Sequence, residues 1–340
     1  MKYLVTGSAG FIGSHVAKRL LDAGHAVVGL DNLNDYYDPA LKHDRLAWLT
    51  PAAGFRFEKM DLADAAAVSS LCAREKFQRV IHLAAQAGVR YSLHNPRAYA
   101  DSNLLGFLGL LEACRHTPVE HLVFASSSSV YGLNRRVPFN VSDPADHPVS
   151  LYAATKKAGE LMAHAYSHLY HLPATGLRFF TVYGEWGRPD MAPWLFTQAI
   201  LDGAPIKVFN HGQMRRDFTY IDDIVSGVVK IADVIPAADR AFDPARPDPA
   251  TSSAPYRLHN IGNNQPVTLS RFIAAIETAL GKTAAREEHP MQPGDMVETV
   301  ADIDSLTAAT GFKPTVSIED GMQRFCAWYQ EYRNRRQSTA

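Results

Sequence analysis

Short apolar runs alternate with longer segments of helical periodicity through the first half of this 340-residue chain. The runs are nearly continuous rather than alternating with polar residues, which is typical of strands buried on both faces of a parallel sheet. We predict strands at Tyr3–Thr6, Ala26–Asp31, Phe55–Lys59, Val80–Leu83, His121–Ser126 and Ala174–Phe179. Repeated strand–helix alternation implies right-handed crossovers, so we expect an α/β fold built on a doubly wound parallel sheet.

The alternation loosens beyond residue 180, which predicts a second, smaller α/β domain made of discontinuous segments. Residues 242–256 are rich in Pro, Asp and Ser and predict an exposed loop. A short strand at Tyr256–Gly262, a helix around Ser270–Leu280 and a helix at Ile318–Tyr332 follow. We expect the larger domain to span 1–180, with 217–241 returning to it. The smaller domain is expected at 181–216 and 242–330, and a polar tail at 331–340.

Composition excludes several classes of function. The chain has 34 Lys and Arg against 35 Asp and Glu, so no charge excess favours nucleic acid or an anionic membrane as a partner. Its three cysteines are far apart, which excludes a disulfide framework and a zinc site and fits the cytoplasm. No apolar run approaches the roughly 18 residues of a membrane span. We therefore expect a soluble, unprocessed, cytoplasmic protein without a metal.

A GxxGxxG motif, formed by Gly7, Gly10 and Gly13, joins the first strand to a helix. Glycines in this position permit a tight turn and let the backbone and the helix N-terminus approach a pyrophosphate. In isolation the motif is equally compatible with an ordinary strand-to-helix loop. Asp31 ends the second strand about 20 residues later, where a carboxylate would bind an adenosine ribose and repel the 2′-phosphate of NADP. The combination predicts NAD as the cofactor.

Asp61 follows the third strand and has the polarity to bind the adenine amino group. It is equally suited to capping the next helix. The sequence leaves both roles open.

Tyr152 and Lys156 stand four residues apart at the start of a predicted helix, so both side chains lie on one face. A phenol is a weak base at neutral pH, and a nearby ammonium together with a cationic nicotinamide would lower its pKa. Such a pair is usually a surface coincidence, but here it follows a predicted dinucleotide fold. Ser126 to Ser129 end the fifth strand, where four hydroxyls form either a polar turn or a site for a sugar hydroxyl.

Several motifs together resemble the extended short-chain dehydrogenases/reductases, in particular nucleotide-sugar epimerases and dehydratases. They are TGSAGFIG (6–13), HLAA (82–85), SSVYG (128–132), YAATK (152–156), RDFTYIDD (216–223) and PGD (293–295). Four stretches are most similar to the UDP-glucuronate 4-epimerases within that family, and the similarity extends over nearly the whole chain. They are DNLNDYYD (31–38), AAQAGVRYS (84–92), RFFTVYGEWGRPDMA (178–192) and MQPGDM (291–296). Glu185 departs from the proline that is usual in the third stretch.

The resemblance implies a Rossmann domain at 1–180 that binds NAD, with Tyr152 as the acid/base, Ser127 as its catalytic partner and Lys156 on the nicotinamide ribose. The positions it implies for the cofactor are Gly7, Gly10, Phe11, Ile12, Gly13, Asp31, Asn32, Asp61, Leu62, Leu83, Ala84, Ala85, Gln86, Asn103, Tyr152, Lys156 and Phe179. Phe180 belongs to the same border of the cofactor site.

The resemblance also implies a UDP-sugar as the substrate and a homodimer, with helices Tyr99–Cys114 and Tyr152–Tyr170 at the interface. Arg216 would bind the diphosphate and Asp295 the uridine ribose. Gln292 occupies a position where epimerases of neutral sugars commonly have arginine. The substrate-binding positions are Arg90, Ser127, Ser128, Ser129, Tyr152, Thr181, Arg188, Val208, Arg216, Gln292 and Asp295.

The implied reaction is oxidation of C4 by bound NAD, rotation of the 4-keto sugar and return of hydride to the other face. A glucuronate would pass through a β-keto acid that can lose carbon dioxide. Arg188, with Thr181, Ser128 and Ser129, is the candidate clamp for the sugar carboxylate, because a planar guanidinium suits a carboxylate. Arg188 could instead be a solvated loop charge.

Four alternatives remain at this point. A dehydratase would have an Asp-Glu pair where Ser128 and Ser129 stand, and a UDP-glucuronate decarboxylase has a different sequence after HLAA. An epimerase of UDP-glucose or UDP-N-acetylglucosamine is the nearest alternative enzyme. A regulator that binds NAD without catalysis would typically lack the serine, tyrosine or lysine that are present here.

Overall fold

The computed structural model describes residues 1–291 and 297–338. Its strands are β1 Lys2–Thr6, β2 Ala26–Asp31, β3 Phe55–Lys59, β4 Arg79–His82, β5 His121–Ser127, β6 Ala174–Phe179, β7 Thr181–Tyr183, β8 Ile206–Phe209, β9 Arg215–Tyr220, β10 Tyr256–Ile261, β11 Pro266–Thr268 and β12 Arg286–His289. Its α-helices are α1 Phe11–Asp22, α2 Pro39–Leu49, α3 Ala65–Glu75, α4 Tyr91–His94, α5 Pro96–Tyr99, α6 Gly106–His116, α7 Leu151–Tyr170, α8 Ala192–Asp202, α9 Ile221–Ala232, α10 Leu269–Leu280, α11 Asp304–Thr310 and α12 Ile318–Ser338. A π-helical turn at Ala100–Leu105 precedes α6, and 3₁₀ turns occupy Ser128–Tyr131 and Asn210–Gly212.

A seven-stranded sheet of order β3-β2-β1-β4-β5-β6-β10 forms the body of the molecule, and every neighbouring pair in it is parallel. The strand order reverses beside β1, where β2 and β4 pair with its two edges. This confirms the expected doubly wound α/β fold. In such sheets ligands bind at the carboxyl ends of the strands near the reversal.

Both faces of this sheet are covered, which explains the continuous apolar runs. Tyr3 and Val5 of β1 belong to a core on one face together with Val16 of α1. Leu4, between them in sequence, belongs to the core on the opposite face with Leu110 of α6. Because successive strand residues point to opposite faces, only a sheet buried on both sides needs apolar residues at every position.

One strand lies in a different sheet from the one expected. Residues 256–261, expected in the smaller domain, form β10, which pairs in parallel with β6 and is the edge strand of the larger sheet. The loop at 242–255, in which Asp243 and Asp248 accept backbone hydrogen bonds two residues on, carries the chain back to that edge. The loop contains neither helix nor strand, as predicted.

The strands that follow β6 in sequence, apart from β10, form two smaller sheets. One has the order β11-β9-β7 and the other pairs β12 with β8. Helix α9, within the segment predicted to return to the larger domain, packs against α1. The remaining division of the chain into 1–180, 181–216, 217–241 and 242–330 stays a prediction.

The expected polar tail is wrong for residues 331–338, which continue α12. Tyr332 is buried and its hydroxyl donates to Asp44 Oδ2 at 2.8 Å, while Arg336 pairs with Asp38. The last turns of α12 are therefore held against α2. Within residues 1–291 and 297–338, no helix is both long and apolar enough to cross a membrane.

Candidate active site

A cavity of about 870 Å³ lies at the carboxyl ends of the parallel strands, between the larger sheet and the smaller sheets. Most of the residues predicted to bind cofactor or substrate line it. They are Gly7, Gly10, Phe11, Ile12, Gly13, Asp31, Asn32, Asp61, Leu62, Leu83, Ala84, Ala85, Gln86, Arg90, Ser127, Ser128, Ser129, Tyr152, Lys156, Phe179, Thr181, Arg188 and Arg216. The fold thus brings together residues that are more than 200 positions apart in sequence.

The glycine turn fits a dinucleotide pyrophosphate. Gly7 has φ +72°, in the left-handed region that favours glycine. A Cβ on Gly13 would lie 2.0 Å from the carbonyl oxygen of Gly7, so no side chain fits between the turn and α1. Gly10 directly precedes α1, no side chain caps the first backbone N–H groups of that helix, and its first residues line the cavity.

Asp31 sits at the end of β2 with its carboxylate held in place. Its Oδ2 accepts a hydrogen bond from the Ala9 amide at 3.2 Å and its Oδ1 one from the Leu33 amide at 2.9 Å. Burial raises the pKa of this carboxyl, and those two hydrogen bonds oppose the shift. The carboxylate is fixed beside the glycine turn, as ribose binding requires.

Asn32 and Asp61 meet at the same end of the cavity, where Asn32 Nδ2 donates to Asp61 Oδ2 at 2.9 Å. The N-cap of α3 is Asp64, which accepts from the Ala67 amide, and not Asp61. The capping alternative for Asp61 is therefore wrong, and its position in the cavity stays compatible with adenine binding.

Helix α7 presents Tyr152 and Lys156 to the cavity. Ser150 caps the helix by accepting from the Ala153 amide, which places Tyr152 in the first turn and Lys156 one turn later. Lys156 Nζ donates to the Ala125 carbonyl oxygen at 2.8 Å, and burial lowers its pKa to about 8. Both side chains face the end of β5.

Among the protein groups, burial has the largest effect on the pKa of Tyr152. Burial raises it, and neither a hydrogen bond with Ser127 nor the charge of Arg188 reverses the shift. The protein groups alone therefore keep the phenol protonated at neutral pH.

The four serines at the end of β5 divide into two groups. Ser126 donates to Glu160 Oε1 at 2.6 Å, inside a buried ion pair between Glu160 and Arg178. The Ser126 hydroxyl therefore links β5 to α7. Ser127 accepts from the Ser129 amide at 3.2 Å and interacts with Tyr152, so the hydroxyls available to a ligand are Ser127 to Ser129.

Arg188 and Tyr152 line the same cavity, and the charge of Arg188 lowers the pKa of that phenol against the effect of burial. Its side chain is mostly buried, so the alternative of a solvated loop charge is wrong. Nε donates to Asp190 Oδ1 at 3.0 Å and Nη2 to Asp190 Oδ2 at 2.5 Å. Thr181 and Ser129 line the same cavity.

The sequence of this chain matches the NAD dependent epimerase/dehydratase family over residues 3–240. The chain belongs to this family. A probable UDP-glucuronate 4-epimerase of Rhizobium meliloti is 50% identical over 335 residues, which cover 98% of each chain. UDP-glucuronate 4-epimerase 3 of Arabidopsis thaliana is 48% identical over 97% of this chain and 77% of its own length.

The structure of this family member is also similar to solved structures of relatives. UDP-glucuronic acid 4-epimerase from Bacillus cereus, in complex with UDP-glucuronic acid and NAD, has a TM-score of 0.85 at 32% identity, with 98% of this chain and 100% of that chain covered. A UDP-glucose 4-epimerase from Thermotoga maritima, solved with UDP-glucose, has a TM-score of 0.81 at 26% identity, covering 98% and 99%. The expected NAD-dependent nucleotide-sugar epimerase fold and cofactor are confirmed.

Two residues predicted to contact a ligand have buried side chains in this epimerase/dehydratase family member, and their ligand contacts stay predictions. Asn103 does not line the cavity. It is buried, accepts from the Gln86 amide and donates to Thr155 Oγ1, so it braces the loop after β4 against α7. Val208 is also buried in the core, because side chains alternate along β8 and it is Lys207 and Phe209 that face the cavity. Gln292 and Asp295 lie outside the described residues.

Sequence reasoning missed several residues that shape the site. Lys207 and Phe209 line the nucleotide end, where Arg90 lies over the Phe209 ring at 5.1 Å. Tyr36 and Asp190 line the end near Arg188. Both lie within stretches that carry the family resemblance, DNLNDYYD and GRPDMA. Those motifs could have identified the two positions, but they do not show what the side chains contact.

Proposed function

We propose that the protein is a UDP-glucuronate 4-epimerase, which interconverts UDP-glucuronate and UDP-galacturonate. The observation that supports this choice is that Arg188 lines one cavity with Tyr152, Ser127, Ser129 and Thr181, and that its charge acts on the pKa of Tyr152. A sugar whose C4 hydroxyl faces Tyr152 would place its C6 substituent one bond beyond the neighbouring ring carbon. A guanidinium there suits a carboxylate and has little to offer a neutral hydroxymethyl group.

Bound NAD would supply hydride acceptance and donation at C4, so that the reaction has no net change in oxidation state. Gly7, Gly10 and Gly13 would hold its pyrophosphate, and Asp31 its adenosine ribose. Lys156, which already donates to a carbonyl oxygen at the end of β5, would hold the nicotinamide ribose. The oxidised nicotinamide is cationic, and its charge would lower the pKa of Tyr152 against the effect of burial.

Tyr152 would take the proton of the C4 hydroxyl and later return it, as a general base and then a general acid. Ser127 already interacts with that phenol and would share the proton with the sugar hydroxyl. After oxidation the planar 4-keto sugar must turn over so that its other face is reduced. The cavity has a volume of about 870 Å³, and its lining extends from the glycine turn to β9.

The carboxylate must be held during this step, because the 4-keto intermediate of a glucuronate is a β-keto acid. Carbon dioxide leaves when the C5–C6 bond aligns with the carbonyl π system, so fixing the carboxylate out of that alignment suppresses the loss. Arg188, with the hydroxyls of Ser128, Ser129 and Thr181, would do this, and all four residues line the cavity.

The nucleotide would lie toward β8 and β9. Arg216 and Lys207 line that end of the cavity and would bind the diphosphate through charge-assisted hydrogen bonds. Phe209 lines the same end, and its ring would contact the uracil. The contact of Asp295 with the uridine ribose and that of Gln292 with the substrate stay predictions.

We also propose a homodimer and a cytoplasmic location. Leu105, Leu108, Leu161 and Leu169 are exposed on the π-helical turn, α6 and α7, the helices expected at the interface. The three cysteines are buried and unpaired, which fits a reducing compartment. Sedimentation of the purified protein should give a mass near twice 37.4 kDa, and Leu161→Glu should shift it toward the monomer.

The test of the enzyme function is product identification. The purified protein is incubated separately with UDP-glucuronate, UDP-glucose and UDP-xylose, and the products are identified by NMR. UDP-galacturonate formed from the first alone supports the proposal. Epimerisation of UDP-glucose in preference would indicate a neutral-sugar epimerase, and UDP-xylose from UDP-glucuronate would indicate a decarboxylase.

Arg188→Ala tests the role of the arginine. It should impair binding of UDP-glucuronate at least about tenfold more than binding of UDP-glucose, because only the former loses a charge-assisted contact. Arg136→Ala, at an exposed position, is the matched control. Equal losses for both nucleotide sugars would exclude the clamp.

A further inference from the structure

Asp190 pairs with one edge of the Arg188 guanidinium. It accepts from Nε and from Nη2, which uses two of the five guanidinium N–H groups. The pairing leaves the edge between Nη1 and Nη2 directed away from Asp190. That edge is a planar fork of the kind that binds a carboxylate with two parallel hydrogen bonds.

Tyr36 holds Asp190 in turn. Its hydroxyl donates to Asp190 Oδ2 at 2.9 Å, so both carboxylate oxygens are engaged. The Tyr36 ring packs against Tyr91 with centroids 4.7 Å apart, and a Cβ at Gly88 would lie 2.7 Å from the phenolic oxygen. Tyr36 therefore has little freedom to move, and it fixes Asp190 relative to the larger sheet.

The protonation states of these groups support a permanent network. Burial, together with the neighbouring Asp190 charge, raises the pKa of Tyr36 to about 12, so the phenol keeps the proton that it donates. Burial would raise the pKa of Asp190, but the charge of Arg188 and the hydrogen bonds from Arg188 and Tyr36 together lower that pKa. Asp190 is therefore anionic and cancels the charge of Arg188. A ligand carboxylate then gains little from long-range attraction and depends on well-aligned hydrogen bonds.

We propose that Asp190 and Tyr36 are positioning residues that hold Arg188 in the one orientation in which its free edge fixes the C6 carboxylate of the sugar. The proposal rests on the proposed glucuronate substrate and deepens it. Arg188 alone would attract a carboxylate in many orientations. Asp190 and Tyr36 restrict it to one, and that restriction protects the β-keto intermediate.

The side reaction gives a specific readout. Decarboxylation occurs when the C5–C6 bond aligns with the π system of the C4 carbonyl. The C5–C6 bond then breaks, its electron pair passes to C5, and C5 takes a proton from solvent. Carbon dioxide and a UDP-4-ketopentose leave, and the cofactor stays reduced because the hydride is not returned. A merely structural role for Asp190 or Tyr36 would lower activity without changing the ratio of ketopentose to epimer.

The experiment compares wild type, Asp190→Asn, Tyr36→Phe and the double variant as purified holoenzymes with UDP-glucuronate. NMR measures UDP-galacturonate and UDP-4-ketopentose, and absorbance measures cofactor left reduced. Asp190→Asn keeps the shape of the side chain and removes its charge, whereas Tyr36→Phe keeps the packed ring and removes one hydroxyl. Asp202→Asn and Tyr170→Phe, at surface positions, are the matched controls.

Asp190→Asn should raise the ratio of ketopentose to epimer at least about tenfold, with kcat falling more than KM rises. Tyr36→Phe should change the ratio in the same direction but less. The double variant should resemble Asp190→Asn, because both changes act on one guanidinium. Folding is checked by circular dichroism, and Tyr36→Phe keeps the proposal testable if Asp190→Asn fails to fold.

An unchanged product ratio in every folded variant would overturn the positioning roles. This result differs from failure of the proposed function. If the wild type converts UDP-glucuronate and Arg188→Ala loses its preference for that substrate, only the positioning proposal fails. If the wild type prefers UDP-glucose, the proposed substrate itself is wrong.

Discussion

Arg45 of α2 donates to the carbonyl oxygen of Trp186 from both Nη2, at 2.6 Å, and Nε, at 3.2 Å. The Arg45 side chain is fully buried, and it also donates to the carbonyl oxygen of Ala9 at 3.0 Å. One guanidinium thus connects the glycine turn with the loop that leads to Arg188. The cofactor side and the sugar side of the cavity are joined through this residue.

Arg45→Met should destabilise the protein and weaken NAD binding. The buried carbonyl oxygens of Ala9, Trp186 and Gly187 would lose their donor, and each unsatisfied group costs about 1–3 kcal/mol. We expect the free energy of unfolding in urea to fall by about 3 kcal/mol. Arg19→Met, at an exposed position of α1, should change it by less than about 0.5 kcal/mol. Similar values for both variants would contradict the bridging role.

Tyr152→Phe should lower kcat for epimerisation by about 10²- to 10⁴-fold, because it removes the group that exchanges a proton with the C4 hydroxyl. Ser127→Ala should lower it less, since it removes only a hydrogen-bond partner of that phenol. Tyr170→Phe, at the far end of the same helix and 40% exposed, is the control and should retain activity. Initial rates with UDP-glucuronate measure all three, and full activity of Tyr152→Phe would exclude the assigned acid/base.

Gly13→Ala should weaken NAD binding at least about tenfold, or by about 1.4 kcal/mol. Its Cβ would lie 2.0 Å from the Gly7 carbonyl oxygen, so the backbone of the turn must move. Gly159→Ala is the control, because the added Cβ would meet only Phe107 at 3.4 Å. Calorimetric titration with NAD after removal of bound cofactor measures the effect. Wild-type affinity in Gly13→Ala would show that the turn tolerates a side chain.

Stability should fall steeply as the pH drops from about 6.5 toward 4. Burial lowers the pKa of His82 to about 3, and that of His121 and His259 to about 4, from 6.5. In this interval the unfolded chain binds protons that the folded chain does not, so protonation favours unfolding. Each histidine can cost about 3 kcal/mol over the interval, against a typical total stability of about 5–15 kcal/mol.

Urea unfolding at several pH values, followed by circular dichroism, checks this dependence. His259→Gln should reduce the slope of stability against pH by about one proton, because its only titrating group is removed. His168→Gln, at an exposed position, should leave the slope as in wild type. An identical slope in all three proteins would mean that His259 titrates in the folded state as it does in the unfolded chain.

The larger sheet could be predicted from sequence because its signals are local. Continuous apolar runs gave β1 to β6 to within one residue at most ends, and the spacing of Gly7, Gly10 and Gly13 predicted the turn before α1. Helices α2, α8 and α9 were not predicted. Prolines obscured the start of α2 and α8, although proline at the first turn of a helix is favourable.

Part of the site could also be predicted, because several of its residues belong to local motifs. Residues within local motifs, such as Tyr152, Lys156 and Asp31, line the cavity, whereas Asn103 and Val208 do not. Their motifs identify positions but not the direction of a side chain. That direction depends on register and packing, which place Val208 in the core and its neighbours in the cavity.

The sequence by itself determined the parallel α/β architecture, the glycine turn and the helix that carries Tyr152 and Lys156, because strand burial, glycine conformation and a four-residue helical spacing are properties of adjacent residues. Only the tertiary structure decided which distant groups meet. It placed Arg45 between the glycine turn and the loop before Arg188, and it placed Tyr36 against Asp190 from 154 positions away. Such contacts depend on how separate elements pack, and no periodicity within either segment encodes them.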